Sequence, residues 1–151
     1  MADKLVPEVI SLSLPSRLEL LAVVDRVTLA VCERMEFDDD TASQVSMSVI
    51  EAGTNAVQHA HLRDAKLPFD VRFEMYPDRL EVFVKDRGHG FDLARVTPDV
   101  TVPEHLFDAR GRGIFIMRAC CDSVDFEFQP DGTVCHLVKL RPPAPARAAD
   151  V

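Results

Sequence analysis

The chain has 151 residues, 47% of them hydrophobic and 28% charged, and a formal net charge of −8. This length suits one domain that buries an apolar core without disulfides or metals. The negative charge, with no stripe of Lys or Arg, argues against a protein that binds the nucleic-acid backbone. No apolar run approaches the roughly 20 residues of a membrane helix, and no apolar signal segment follows the first residues. We therefore expect a soluble cytoplasmic protein that binds neither nucleic acid nor membrane.

The cysteines are expected to be buried free thiols rather than a zinc site. Cys32, Cys120, Cys121 and Cys135 show neither Cys-x-x-Cys spacing nor a matching pair of histidines. Adjacent Cys120 and Cys121 also make a poor framework for disulfide bonds.

The chain begins with a predicted strand and helix. A short strand is expected at residues 9–14. Ser16 followed by Glu19 has the pattern of a capping box, which predicts the start of a broadly apolar helix that ends near Met35.

A second helix is predicted from the acidic residues 38–40 and Thr41 to about His61, because acidic side chains suit the positive end of a helix dipole. This helix has two distinct faces. One face is apolar and comprises Val45, Val49, Ala52, Ala56 and Ala60. The other is a narrow polar stripe of Gln44, Ser48, Glu51, Asn55 and Gln58.

The second half of the chain predicts antiparallel strands. Residues 69–75 alternate apolar and polar side chains, and a turn at residues 77–78 returns the chain as a partner strand, residues 79–85. Two more strands, residues 124–128 and 133–140, are joined by a Pro-Asp-Gly turn.

A long loop and a third helix lie between these strand pairs. Residues 91–110 have no clear period, and connections of this length are usually functional or mobile. Residues 111–113, Gly-Arg-Gly, open an apolar helix over residues 114–121. The Pro- and Ala-rich tail, residues 142–151, is expected to be disordered, which leaves one domain over residues 1–141.

The order of the elements predicts the fold class. Strands joined by tight turns form antiparallel sheets with one covered face. We expect a two-layer α/β sandwich, in which helices cover one face of a mostly antiparallel sheet.

The loop after the strand at residues 79–85 is a candidate ligand site. Asp86 ends the strand and is followed by Gly88 and Gly90. The glycines let the backbone pass close to a flat ligand while the carboxylate accepts hydrogen bonds from it. The same pattern is also ordinary turn chemistry.

Two further pairs of residues have the chemistry of a site. Glu51 and Asn55 lie four apart on one helix face, and offer an acceptor oxygen for Mg²⁺ beside a carboxylate that can take a proton. A solvated helix face would look the same. Gly111 and Gly113 before a helix suit phosphate binding, or mark a flexible loop end with a weak helix start.

In this order, Glu51-x-x-x-Asn55, Asp86-x-Gly88-x-Gly90, Gly111-x-Gly113 and Gly132-Thr133 resemble the N, G1, G2 and G3 boxes of GHKL-type ATPases. The resemblance spans nearly the whole chain and implies the Bergerat ATP-binding fold. Within that superfamily, residues 51–60 and 113–118 look most like the anti-sigma factor serine kinases of the RsbW and SpoIIAB type.

The resemblance implies roles for the matched residues. Asp86 would bind the adenine amino group of ATP, and Gly90 and Thr133 would complete the base contacts through water. Asn55 would hold Mg²⁺ against the phosphates, and Glu51 would be the general base that takes the proton from a substrate serine.

The same resemblance implies further nucleotide contacts. Gly88 would belong to the base-binding loop, Gly111 and Gly113 would lie under the phosphates, and the long loop would be a lid. His59 would approach the phosphates, or be a plain helix-end histidine. Arg112 stands where a small or aliphatic residue is more usual, and is either a phosphate contact or a solvated charge.

The function implied by the resemblance is that of an ATP- and Mg²⁺-dependent protein serine kinase. It would sequester a sigma factor, phosphorylate an anti-sigma-factor antagonist and form a homodimer. The first strand would either form the dimer contact or be an edge that the tail caps. One alternative is a nucleotide-gated binding module without phosphotransfer. Another is the catalytic domain of a histidine kinase, which is less favoured because no helical hairpin with a phosphoacceptor precedes the domain.

Overall fold

A computed structural model describes residues 5–62, 64–96 and 109–142 of the chain. The predicted disordered tail, beyond Pro142, and most of the predicted lid, residues 97–108, lie outside the described residues. The strands are β1 (Glu8–Pro15), β2 (Pro68–Met75), β3 (Arg79–Lys85), β4 (Ser123–Gln129) and β5 (Gly132–Leu140). The helices are α1 (Leu21–Arg34), α2 (Asp39–Thr54), α3 (Leu93–Val96) and α4 (Ala109–Cys120), with a 3-10 turn at Leu18–Leu20 and a π-helical turn at Asn55–Ala60.

The strands form one sheet in the order β1-β2-β3-β5-β4, and every neighbouring pair is antiparallel. This confirms the predicted two-layer α/β sandwich. The central pair, β3 and β5, aligns Val84 with Cys135. Just beyond that pair, the Asp86 backbone N–H donates to the Thr133 carbonyl oxygen at 2.9 Å. Two predicted site residues that are 47 positions apart therefore lie side by side.

The core lies between the sheet and the helices. Alternate residues of β2 and β3 face the helices and are buried, as the period of two predicted. The opposite face of the sheet has ion pairs, such as Arg72 with Glu74 at 2.8 Å and Arg79 with Glu81 at 3.0 Å. The buried sheet residues in the core are Leu14, Phe69, Val71, Phe73, Met75, Leu80, Val82, Val84, Cys135 and Leu137.

The capping box predicted at Ser16 is wrong. The Ser16 hydroxyl donates to the Leu67 carbonyl oxygen at 2.5 Å and lies 2.6 Å from Nδ1 of His61, so it does not cap a helix. The helix instead starts through the 3-10 turn, whose N-terminal flanking residue, Arg17, makes no side-chain capping hydrogen bond. The Ser16 hydroxyl interacts with residues distant in sequence, so it is not available to cap the helix.

The start of α2 is confirmed, since the Asp38 side chain accepts from the Thr41 backbone N–H at 2.7 Å. Most of its polar stripe is at least partly buried, although Gln44 is exposed. Ser48 and Asn55 are buried and Glu51 is partly buried, because α4 packs against this side of the helix. The helix then continues through the π-helical turn to Ala60, and π-helical turns are frequent at functional sites.

The start of α4 differs from the prediction. The helix begins at Ala109, so Gly111 and Gly113 lie within its first turns rather than before it. Glycine is a poor helix former, which is why the pair looked like a loop end. The structural reason for Gly113 is close packing, because a Cβ atom there would lie 2.8 Å from Oε2 of Glu51.

All four cysteines are free thiols, as predicted, but Cys120 and Cys121 are only partly buried. Cys32 and Cys135 lie in the core, and burial raises the pKa of the Cys32 thiol to about 11. Within the described ranges, none of the helices has the length and apolar character to cross a membrane.

Candidate functional site

Asp86 is buried at the candidate site, and its carboxylate is held by hydrogen bonds. Its side chain is 9% exposed, and Oδ1 accepts from the backbone N–H of Gly88 at 2.9 Å and of Thr133 at 3.3 Å. Gly132 packs directly on it, since a Cβ atom at Gly132 would lie 1.9 Å from the Asp86 carbonyl oxygen. The carboxylate at the end of β3 is therefore held by β5 and by its own loop.

The glycines of the loop allow its path past two neighbours. A Cβ atom at Gly88 would lie 2.8 Å from Cβ of Ala60, at the end of the π-helical turn. Gly90 has a φ of 80°, a backbone conformation that favours glycine, and a Cβ atom there would lie 3.1 Å from the Phe128 ring. The loop is thus packed between the helix layer and β4.

A small cavity, which we call the base cavity, opens beside Asp86. Its volume is about 10 Å³, room for about one water molecule. Thr133 is 3% exposed, and its hydroxyl oxygen is buried with no hydrogen-bond partner among the described residues. A buried polar group without a partner is costly, so this hydroxyl indicates a position where a ligand or water is bound. The full lining comprises Ala52, Asn55, Ala56, Val84, Asp86, Phe91, Arg110, Phe126, Thr133 and Cys135.

Phe91 and Arg110 close this cavity from the outside. The Phe91 ring packs edge-on against Phe126 and Phe128, with ring centroids 5.2 Å apart in both pairs. The Arg110 guanidinium lies over the Phe91 ring, 4.1 Å from its centroid. The two residues flank the undescribed segment, so the ends of the predicted lid meet over the base cavity.

A second cavity of about 300 Å³, which we call the phosphate cavity, lies between α2 and α4. Asn55, which is 9% exposed, lines both cavities. The phosphate cavity is lined by Glu51, Thr54, Asn55, Gln58, His59, Arg112, Gly113 and Ile116. It combines a carboxylate, amide groups and a guanidinium at one opening, which is a donor and acceptor set that suits a phosphate and a metal ion together.

Glu51 is the acidic group of the phosphate cavity. Burial raises the pKa of its carboxyl above the usual 4.5, and the positive charge of Arg112 opposes that rise. Gly113 has no side chain, which leaves room for the Glu51 carboxylate. A Cβ atom at Gly113 would lie 3.7 Å from the amide nitrogen and oxygen of Asn55. A carboxylate with a raised pKa is a stronger base once it is deprotonated.

The structure brings most of the predicted site residues together. Asp86, Thr133 and Asn55 line the base cavity, and Asn55, Glu51 and Gly113 line the phosphate cavity. Gly88 and Gly90 lie in the loop beside the base cavity. Gly111 is buried in the first turn of α4, and among the residues described here it lines neither cavity.

Sequence reasoning missed three residues at the site. Phe91 and Arg110 were expected only as ends of the long loop, and His61 only as the end of a helix. His61 accepts a hydrogen bond from the Arg87 backbone N–H, one residue after Asp86. No local pattern marks these contacts, since each joins segments that are distant in sequence.

Comparisons with known proteins identify relatives of this chain. The histidine kinase-like ATPase domain matches residues 14–139. A serine-protein kinase RsbW from Bacillus velezensis is 33% identical over 130 residues, which cover 83% of this chain and 81% of that protein. A serine-protein kinase RsbW from Bacillus subtilis is 32% identical over 120 residues, covering 76% of this chain and 75% of that protein.

A solved structure shares the fold. It contains the RsbU and RsbW domains of Rv1364c from Mycobacterium tuberculosis and aligns with a TM-score of 0.66 at 16% identity. The alignment covers 91% of this chain and 34% of that chain. Since the family match spans most of the sequence, the chain belongs to the histidine kinase-like ATPase family, as its motifs predicted.

Proposed function

We propose that this protein is an ATP- and Mg²⁺-dependent protein serine kinase. The observation that supports this most is the pair of neighbouring cavities that share Asn55 in their linings. One presents the Asp86 carboxylate and the unpartnered Thr133 hydroxyl, and the other presents Glu51 beside Asn55. The relatives are named serine-protein kinases, which favours the same activity here.

In this proposal the base cavity binds adenine. The Asp86 carboxylate accepts from the amino group of the base, and the Thr133 hydroxyl supplies a further contact, through water. Gly88 and Gly90 let the loop backbone lie close to the ring. Discrimination follows from chemistry, because a base with a carbonyl oxygen at that position would place one acceptor against another.

The phosphate cavity fits a nucleotide phosphate with Mg²⁺. Within the described part of the chain, no group of three or more His, Cys, Asp or Glu side chains could hold a metal ion. Asn55 offers one ligand oxygen, so the phosphates and water would supply the others, which is usual for Mg²⁺. When bound, the ion neutralises phosphate charge during transfer. Gly111 and Gly113 lie in the first turns of α4, where the helix dipole favours an anion, and Gly113 lines the phosphate cavity.

Glu51 performs the proton transfer in this mechanism. Its carboxylate accepts the proton of a serine hydroxyl on a protein substrate, while the serine oxygen forms a bond to the terminal phosphorus of ATP and ADP departs. Positioning and charge neutralisation do most of the remaining work in phosphoryl transfer. The absence of a side chain at Gly113 leaves room for the carboxylate at the cavity, and the charge of Arg112 opposes the rise in its pKa that burial causes.

We further propose that the substrate is an anti-sigma-factor antagonist and that the protein also binds a sigma factor, in the cytoplasm. β1 is an edge strand, and Val9 and Ile10 on it are exposed apolar residues. This edge suits a homodimer, since an unpaired strand edge with apolar side chains is a template for another chain. Light scattering of the purified protein, with Ile10→Lys as the variant, tests the dimer.

A nucleotide-gated binding module is the second candidate. The observation that favours it is the pairing of Phe91 with Arg110 over a base cavity of about 10 Å³, since nucleotide entry must move this pair. Movement of the lid ends could then change a partner surface without phosphotransfer.

One experiment separates the two candidates. The protein is mixed with Mg²⁺, radiolabelled ATP and candidate antagonist proteins, and both phosphoserine and complex formation are measured. The kinase predicts phosphoserine on one candidate, and none when EDTA is present. Nucleotide-dependent complex formation without any phosphoserine would support the binding module and contradict the kinase.

A further inference from the structure

His61 connects the helix layer to the nucleotide loop. It follows the π-helical turn and is 3% exposed. Its Nδ1 lies 2.6 Å from the Ser16 hydroxyl oxygen, and its Nε2 accepts from the Arg87 backbone N–H at 2.7 Å. The Ser16 hydroxyl itself donates to the Leu67 carbonyl oxygen at 2.5 Å. Both ring nitrogens therefore have short, buried contacts.

These contacts define the protonation state of the ring. The Ser16 hydroxyl has one proton, and it uses this proton in the hydrogen bond to the Leu67 carbonyl oxygen. The Ser16 oxygen must therefore accept a hydrogen bond from Nδ1–H of His61. Nε2 must lack a proton because it accepts from Arg87. The network thus assigns a neutral imidazole with its proton on Nδ1. A second proton, on Nε2, would face the Arg87 N–H as donor against donor.

His61 holds the Arg87 peptide, which lies in the loop beside the base cavity. Arg87 lies between Asp86 and Gly88, and Oδ1 of Asp86 accepts from the Gly88 N–H. The Arg87 side chain is also fixed, by an ion pair with Asp70 at 2.9 Å and a hydrogen bond to the Pro68 carbonyl oxygen. The backbone hydrogen bond from Arg87, however, joins this loop to the helix layer through a titratable side chain, that of His61.

We propose that neutral His61 is a positioning residue for the nucleotide, which holds the Arg87 peptide and thereby the Asp86 carboxylate in its binding position. This inference rests on the proposed function, since it takes Asp86 as the adenine contact. Protonation of His61 releases the Arg87 N–H, so nucleotide affinity falls at acid pH. The site is therefore sensitive to pH through a residue that does not itself touch the ligand.

The surroundings of His61 set the direction of its titration. Burial lowers the pKa of its ring below the usual 6.5. The charges that face it are Asp86 and Asp64, which raise the pKa, and Arg87, which lowers it, and burial is the largest of these effects. Because the folded-state pKa is lowered, the neutral ring is fully present above pH 6.5, and its contacts are lost as the pH falls through the lowered value.

The first test compares ADP affinity from pH 5 to 8 in the wild type and in His61→Gln. Gln keeps an acceptor that can reach the Arg87 N–H but does not titrate. The titration of ADP itself is common to both experiments, so the ratio of the two affinities isolates the contribution of His61. The wild type is expected to lose affinity relative to His61→Gln by up to about tenfold per pH unit below its ring pKa. A ratio that stays constant over the whole range would overturn the proposal.

Two further variants complete the affinity test. His61→Phe removes the acceptor and is expected to weaken ADP binding roughly 5- to 150-fold at pH 7.5, whereas His61→Gln stays within a few-fold. His136→Gln is the matched control, because His136 pairs with Glu81 on the open face of the sheet. It should reproduce the wild-type pH profile, and an altered profile there would contradict the assignment to His61.

The second test needs neither ligand nor variant. Nitrogen-15 NMR of the nucleotide-free wild type should show His61 with an unprotonated Nε2 at pH 7.5. The Arg87 amide resonance should shift with the same titration as the ring. A proton on Nε2, or an Arg87 amide that ignores the titration, would overturn the proposal. If ADP failed to bind at any pH, the proposed function would fail, and this arm would still decide whether His61 holds the loop.

Discussion

Asp86 is the residue on which nucleotide recognition depends in this account. In Asp86→Asn one acceptor oxygen becomes a donor, so an NH₂ group must face the adenine amino group or the N–H groups of Gly88 and Thr133. We expect ADP affinity, measured by calorimetry, to fall roughly 5- to 150-fold, the cost of about 1 to 3 kcal/mol for a mismatched buried pair. Asp125→Asn, on exposed β4, is the matched control and should bind ADP normally. If folded Asp86→Asn bound ADP with wild-type affinity, the assignment of adenine to this cavity would be wrong.

The electrostatics of Glu51 predict a pH dependence. Its pKa is raised by burial and held down by Arg112, and only the carboxylate form accepts a proton. Phosphotransfer at saturating ATP should therefore fall as the pH drops through the raised value. Arg112→Ala removes the opposing charge, so we expect the acid limb of the rate profile to move to higher pH. Arg118→Ala, on the same helix, should leave the limb in place. A limb that moves to lower pH in Arg112→Ala would contradict the assignment.

At the scale of elements, the close packing of α4 on α2 positions the Glu51 carboxylate. Gly113→Ala puts a methyl group 2.8 Å from Oε2 of Glu51, and the end of a flexible side chain can move away. The variant should keep or slightly raise its unfolding temperature, since Ala favours helix by about 1 kcal/mol over Gly. Its phosphotransfer rate should fall by at least about tenfold because Glu51 is displaced. Thermal unfolding and single-turnover rates measure both, and an unchanged rate would show that the Glu51 position is not critical.

The sequence could predict the secondary-structure elements that are determined by residues close together in the chain. The strands β2 to β5 follow from their alternation, and the start of α2 from the Asp38 cap, because both signals lie within a few residues. Ser16 failed as a cap because its partners are 45 and 51 residues away. The start of α4 was misplaced because Gly113 serves a contact with another helix rather than a turn.

The candidate site divides in the same way. Spacing alone put Glu51 and Asn55 on one helix face. The neighbourhood of Asp86 and Thr133 came only from the family resemblance, since it depends on the pairing of β3 with β5. His61 and Phe91 could not be predicted, because a buried histidine contact or a ring closing a cavity has no local pattern.

For the whole molecule, the site joins both layers of the sandwich. Thr133 belongs to the sheet and Asp86 directly follows β3, whereas Asn55 and Gly113 belong to the helices. A ligand bound to all of them should stabilise the domain as one unit. At 100 times its dissociation constant, ADP with Mg²⁺ adds about 2.7 kcal/mol to the free energy of unfolding. We expect the unfolding temperature to rise by roughly 5 to 11 °C. EDTA should reduce the shift, and GDP, which has a carbonyl oxygen facing Asp86, should give little. An equal shift with GDP would contradict adenine recognition.

The central claim, that Glu51 and Asn55 form the catalytic centre of a protein serine kinase, is tested most directly by a paired measurement on Glu51→Ala. ATP affinity and the single-turnover rate of serine phosphorylation are measured on the same folded variant. A general base acts in the transition state, so ATP affinity should stay within a few-fold while the rate falls by about 10² to 10⁴. Asn55→Ala should weaken both, because it removes a metal ligand. A wild-type phosphorylation rate in Glu51→Ala would contradict the account and leave Glu51 as part of a polar helix face.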